Sequence, residues 1–184
     1  MKVVVRPDGA SRGNPGPAGV GVVVEDASGR VLREVSEAIG VATNNVAEYQ
    51  ALLRALEEAQ ELGAQVVEVR TDSELVARQL LGQYRVRDPE LRALFEAVQR
   101  RMRSFSQVVV RSVPRSENAR ADRLARLALS RAGDPVEAVV RAAREGRVEE
   151  AVAGLGRLTP GQLREAAQRL AEELARRAGT PSQA

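Results

Sequence analysis

Apolar and polar positions change period several times along the chain. Lys2–Arg6 is a short apolar, β-branched run that reads as a strand, and Val20–Glu25 and Arg30–Ser36 read as two more. The last two flank Asp26–Gly29, a four-residue connection ending in Gly, which signals a hairpin. These three segments predict an antiparallel meander. From Asn45 to Leu62 the period is helical, with apolar residues at 46, 49, 52, 53, 56 and 59, and Gly63 follows at the C-cap position. Val66–Arg70 then reads as a strand and Ser73–Leu81 as a short helix closed by Gly82. Asp88-Pro89-Glu90 opens a helix to about Met102, with Pro at its first position. Gln107–Val113 reads as a strand and Asn118–Ala132 as a helix.

The order β-β-β-α-β-α-α-β-α predicts an α/β fold with a five-stranded mixed sheet flanked by helices. The later strands return through helices, so their pairings are expected to be parallel. Beyond this the pattern is helical throughout. Asp134-Pro135-x-Glu137 and Thr159-Pro160-x-Gln162 both look like capping boxes, with a third helix expected near Arg147–Gly154. Apolar positions 136, 139, 140, 148, 152, 155, 158, 163, 170 and 174 are expected to form one stripe. The expected organisation is a domain over 1–132, a small all-α appendage over 133–178 and a disordered end at 179–184. So short a set of helices makes a marginal core alone, so the appendage is expected to pack on itself, on the main domain or on a partner, including a second copy.

Composition narrows the chemistry. The chain has neither Cys nor His, which removes disulfides, Cys/His metal sites and imidazole acid–base catalysis. Carboxylates are then the only strong metal ligands available. The net charge is +3, and it falls entirely within the first 133 residues. This weakly favours an anionic partner. No apolar run is long enough to span a membrane, and the first residues lack the apolar stretch of a secretory signal. The expected location is cytoplasmic.

Four segments carry candidate chemistry. The run DGASRGNPGPAGVG at 8–21 places Asp8 at the end of the first strand and suggests a tight, irregular connection into the second. Its glycines could bring bare backbone close to a sugar-phosphate strand. TNNVAEYQALLRAL at 43–56 puts Thr43, Asn44 and Asn45 where N-capping alone would explain them, but adds Glu48 near the start of a largely apolar helix. VVEVRTDSELV at 66–76 places Asp72 just past a strand, where an N-cap or a ligand group is equally natural. SVPRSENARADRLA at 112–125 puts Asn118 and Asp122 one helical turn apart. Each has a plain structural explanation, but together they supply several carboxylates that the coarse fold can bring together around hard cations.

These segments, in this order, resemble ribonuclease H of the type 1 class over residues 1–131. DG-x-x-x-GNPG-x-x-G, TNN-x-x-E, TDS and N-x-x-x-D all match as they stand. The closest likeness is to the compact subgroup, because YRVRDPEL at 84–91 leads straight into the next helix and leaves no room for an additional basic helix. The resemblance implies an endonuclease that cuts the RNA strand of RNA/DNA hybrids, leaving 5′-phosphate and 3′-hydroxyl ends. It implies that Asp8, Glu48, Asp72 and Asp122 hold two Mg²⁺ ions, for which Mn²⁺ would substitute. It further implies substrate contacts from Gly9, Ala10, Ser11, Asn14, Thr43, Asn44, Asn45, Ser73 and Asn118, with Asn14, Asn44 and Asn45 in the hybrid's minor groove, where RNA 2′-hydroxyls lie.

One position departs from the pattern. Where many relatives carry a His six residues before the motif's Asn, this chain has Ser112. A hydroxyl cannot relay a proton near neutral pH as imidazole does, so slower turnover is expected unless Arg115 on the same loop substitutes. The alternatives are a nuclease of the same fold acting on another duplex, such as double-stranded RNA, and a catalytically weakened hybrid-binding protein. A pure binding module is disfavoured by clustered carboxylates and by scattered aromatics.

Overall fold

A computed structural model describes residues 1–131 and 134–178. The chain divides into two compact units, Met1–Ser130 and Arg131–Ala184. The first contains β1 (Lys2–Ser11), β2 (Gly16–Asp26), β3 (Val31–Ala42), α1 (Asn44–Glu61), β4 (Val66–Thr71), α2 (Glu74–Leu80), α3 (Pro89–Met102), β5 (Gln107–Ser112), a 3₁₀ turn (Arg115–Asn118) and α4 (Ala119–Ser130). The five strands form one sheet in the order β3-β2-β1-β4-β5. The meander β1–β2–β3 is antiparallel, and β4 joins β1, and β5 joins β4, in parallel. The expected mixed sheet flanked by helices is the observed one.

β-Branched residues build the core because strand faces alternate. Val3, Val5, Val22, Val24, Val67 and Val69 pack against Tyr49, Leu52 and Leu56 of α1, with Val98 and Phe105 completing the cluster. The Tyr49 hydroxyl, buried within that cluster, donates to Gln79 of α2 at 2.6 Å, which satisfies a polar group the core would otherwise penalise. Between Leu80 and Pro89 the chain forms no helix, so the additional basic helix is absent as expected.

The strands run further than the apolar pattern suggests. Asp8 does not end β1, which continues to Ser11, and β2 begins at Gly16 rather than Val20. The Gly-rich run is therefore mostly ladder: Asp8 pairs with Gly21, Gly9 with Val20, and Ser11 with Ala18. Only Arg12–Pro15 is irregular. The glycines serve packing. A Cβ on Gly9 would lie 2.2 Å from the Ala47 carbonyl carbon in α1, and one on Gly21 would lie 2.1 Å from the Ala121 oxygen in α4. Gly9 and Gly21 point to opposite faces, because Gly21 is paired with Asp8, the neighbour of Gly9. Bare backbone on both faces thus seats α1 on one side of the sheet and α4 on the other.

The second unit contains α5 (Pro135–Arg144), α6 (Val148–Leu155) and α7 (Pro160–Ala178). Val136, Val139, Val140, Leu158 and Ala166 form its small core, with Leu155 and Leu170 against it. Thr159 and Gln162 form a full capping box. At the other expected box Asp134 caps through Val136 N–H, and Glu137 pairs with Arg169. The single apolar stripe is not observed: Val148, Val152, Leu163 and Leu174 are exposed. In α6 the residues turned to the core are Ala151, which is buried, and Gly154, which lies against Val139. The 19-residue α7 is about 28 Å long, too long for so small a core to cover both ends. The expected disordered end, 179–184, lies outside the described residues, as does Ala132. Among the described residues no helix is long and apolar enough to cross a membrane.

Candidate active site

The parallel strands deliver the first two carboxylates. β1 and β4 are paired up to Val5 and Val69, and Asp8 and Asp72 each lie three residues further on. Asp8 sits in β1, and Asp72 occupies the short link between β4 and α2. Asp72 is not the helix cap: Ser73 caps α2 by accepting from Val76 N–H, which leaves the Asp72 carboxylate free for other partners. Glu48 comes from the first turns of α1, which is capped by Thr43 through Val46 N–H. Asp122 comes from the first turn of α4.

These four side chains line one cavity of about 260 Å³, together with Gly9, Ala10, Ser11, Asn44, Arg115, Arg126 and Leu129. Asp8 and Glu48 are 5% and 9% exposed. The Asp8 carboxyl is raised from its ordinary value to about 7, mostly by burial and then by the neighbouring Asp72 and Asp122 charges. Burial raises Glu48 to about 9, reinforced by Asp8 and Asp72 and opposed by a hydrogen bond from Gly9 N–H. Carboxyl groups are thus crowded where water is partly excluded, so without a cation they tend to keep protons, and a bound cation would favour their ionised forms.

The donor set suits hard divalent ions, since every strong ligand is a carboxylate oxygen. As placed, however, no three of these groups among the described residues are close enough together to share one ion. Asp122 and Asp72 are each engaged by other side chains. Asp122 Oδ1 accepts from Arg115 at 3.1 Å and Oδ2 from Arg126 at 2.8 Å. Asp72 Oδ1 accepts from Asn118 Nδ2 at 2.6 Å.

Asn118, expected as a substrate contact, lies among internal partners. It is 0% exposed, and its Nδ2 also donates to Pro7 O at 2.9 Å. Both partners are acceptors, so the amide nitrogen faces them, and Oδ1 has no hydrogen-bond partner among the described residues. Asn118 thereby ties β1, Asp72 and the 3₁₀ turn together. Asn118→Ala should weaken Mn²⁺ binding and lower kcat by about 10–100-fold, the usual cost of losing a group that orients a metal ligand. Calorimetric titration and initial rates would check this, and unchanged Mn²⁺ affinity would contradict it.

The other expected positions divide. Gly9, Ala10, Ser11, Asn44 and Arg115 line the cavity; Asn14, Thr43, Asn45, Ser73 and Ser112 do not. Asn14 Oδ1 accepts from Asn44 N–H at 3.1 Å, which joins the Arg12–Pro15 loop to the start of α1. Asn14 and Asn45 are exposed beside these groups. The Ser73 oxygen is used in capping, and Ser112 is exposed at the end of β5. Sequence reasoning missed Arg126 and Leu129. Arg126 was detectable as a cation one helical turn beyond Asp122; for Leu129 no signal stood out.

A family model described as reverse transcriptase-like matches residues 6–128. The "Bifunctional protein Rv2228c" of Mycobacterium tuberculosis is 46% identical over 139 residues, covering 75% of this chain but only 38% of that protein. Ribonuclease HI of Halobacterium salinarum is 47% identical over 122 residues, covering 66% of this chain and 61% of the relative. The chain thus spans less than two thirds of the length of these relatives. Among solved structures, the N-terminal RNase H domain of the mycobacterial protein is similar at 47% identity with a TM-score of 0.68, covering 70% of this chain and 99% of that one. LC11-RNase H1 in complex with an RNA/DNA hybrid is similar at 45% identity with a TM-score of 0.68, covering 71% of this chain and 98% of that one. The sheet order, the shared carboxylate cavity and these matches lead to one conclusion: the chain belongs to the ribonuclease H family.

Proposed function

We propose that the protein is an endonuclease that hydrolyses the RNA strand of RNA/DNA hybrids in the presence of Mg²⁺. The observation that carries this reading is the single cavity lined by Asp8, Glu48, Asp72 and Asp122 and walled by the Gly9–Ser11 segment. The four carboxylates would hold the divalent ions. Bound there, such ions supply an activated water and charge stabilisation for the leaving 3′ oxygen, which yields 5′-phosphate and 3′-hydroxyl ends.

The chain's own groups would do the rest. Gly9 backbone donates to Glu48 and fixes its direction. Asn118 fixes Asp72. Asn44 at the cavity, with Asn14 and Asn45 exposed beside it, offers amide groups to 2′-hydroxyls, which only RNA carries. Thr43, beside Asn44 at the start of α1, would meet a phosphate of the DNA strand. Ser112 stands outside the cavity and Arg115 inside it, so Arg115 is the better placed of the two to act on product release. The solved complex of a 45%-identical relative with an RNA/DNA hybrid supports the choice of substrate. In the cell the location would be the cytoplasm.

Competition tests the substrate assignment. The RNA/DNA hybrid, double-stranded RNA and double-stranded DNA of one sequence would be offered together with Mg²⁺, each with its own label. Preferential cutting of RNA in the hybrid is expected. Preferential cutting of either other duplex would keep the carboxylate site and overturn the substrate.

A further inference from the structure

Both oxygens of Asp122 are engaged by guanidinium groups, Arg115 on the 3₁₀ turn and Arg126 on α4. Neither arginine is held by burial: their side chains are 71% and 62% exposed. Both line the carboxylate cavity. Exposed pairs of this kind contribute little to stability, so folding alone gives a weak account of two cations converging on one carboxylate.

We propose that Arg115 and Arg126 are resident counter-cations of the cavity, which hold Asp122 until a divalent ion takes it and then turn to the phosphate backbone of the substrate. This rests on the reading of the cavity as a metal site. The charge balance is direct. Four carboxylates face two guanidiniums within one cavity, and an arriving divalent ion competes with the guanidiniums for the oxygens of Asp122. Released, each arginine is a mobile planar donor at the rim of a site that receives a phosphodiester, and Arg recognises phosphate bidentately. Arg126 can leave Asp122 without unwinding α4, because the pair spans one turn of the same helix.

The two halves make opposite demands on one side chain, and that separates them from a structural role. Removing Arg126 removes a competitor and a repelling charge, so Mn²⁺ should bind Arg126→Gln about three- to tenfold more tightly than the natural chain. The same variant should bind RNA/DNA hybrid more weakly in Ca²⁺, and the loss should shrink as salt is raised. Arg126→Lys, which keeps the charge, should leave Mn²⁺ affinity within about twofold of the natural value. A merely structural role would weaken metal binding or leave it unchanged.

The experiment is calorimetric titration of Mn²⁺ into the full chain, Arg126→Gln, Arg126→Lys and Asp72→Asn. Tighter binding by the Gln variant supports the proposal. Equal or weaker binding by the Gln variant, with clear binding by the natural chain, overturns it and leaves the metal site standing. No Mn²⁺ binding by the natural chain overturns the metal reading itself and this inference with it.

Discussion

Replacing Glu48 with Gln is expected to abolish hybrid cleavage and at the same time to stabilise the metal-free protein. Glu48 is 9% exposed, and its carboxyl is pushed up to about 9 by burial, then by Asp8 and Asp72. The unfolded chain has an ordinary carboxyl near 4.5. Between those values the folded state binds a proton that the unfolded state does not, so metal-free stability falls as pH rises from about 4.5 towards 9. Gln is neutral across that range and still accepts from Gly9 N–H. Glu48→Gln should therefore gain about 2 kcal/mol at pH 8, on the order of 5–10 °C in the melting temperature. The gain should vanish near pH 4.5. Saturating Mg²⁺ should stabilise the natural chain and help the variant less. Cleavage should drop by about 10³-fold or more, the loss of several kcal/mol of charge stabilisation. Thermal melts with and without Mg²⁺ at several pH values check both halves. A variant that melts lower than the natural chain at pH 8 without metal would contradict the electrostatic description of the cavity.

The second large effect is expected at Gly9. An added Cβ would meet the backbone of Ala47 and Glu48 at 2.2–2.5 Å, and backbone cannot step aside as the far end of a flexible side chain can. Gly9→Ala must lift the start of α1 from β1. That costs about 3 kcal/mol or more. It also displaces Glu48 and Asn44 and breaks the bond from Gly9 N–H. Denaturant unfolding should show the loss of stability, and cleavage should fall by at least about 10²-fold even below the new melting temperature. Gly161→Ala, where a Cβ meets nothing within 4 Å, serves as the neutral counterpart. Near-natural activity in Gly9→Ala would mean that α1 is not set by this contact.

Much of this architecture could be read in the residues. The helical period from Asn45, the strand before Asp72 and the one-turn spacing of Asn118 and Asp122 place three of the four carboxylates on the right elements. What could not be read has physical causes. Glycine lowers strand propensity, so the Gly-rich run looks like a loop, whereas its glycines are in the sheet because helices cross both faces there. A motif also does not show which way a side chain points. Asn118 looked like a surface contact and is a buried tie between Pro7 and Asp72. Ser73, rather than Asp72, does the capping, and only that detail frees Asp72. In the tail, periodicity shows which residues could be buried, but not that so small a core leaves Val148 and Leu174 outside.

The measurement that bears most directly on the central claim is cleavage of an end-labelled RNA/DNA hybrid by the natural chain and by Asp72→Asn, with Mg²⁺ and with EDTA. The account predicts that only the natural chain with Mg²⁺ cuts, that the cuts fall within the RNA strand and that they leave 5′-phosphate ends. Equal cutting by Asp72→Asn, or cutting that survives EDTA, would contradict it.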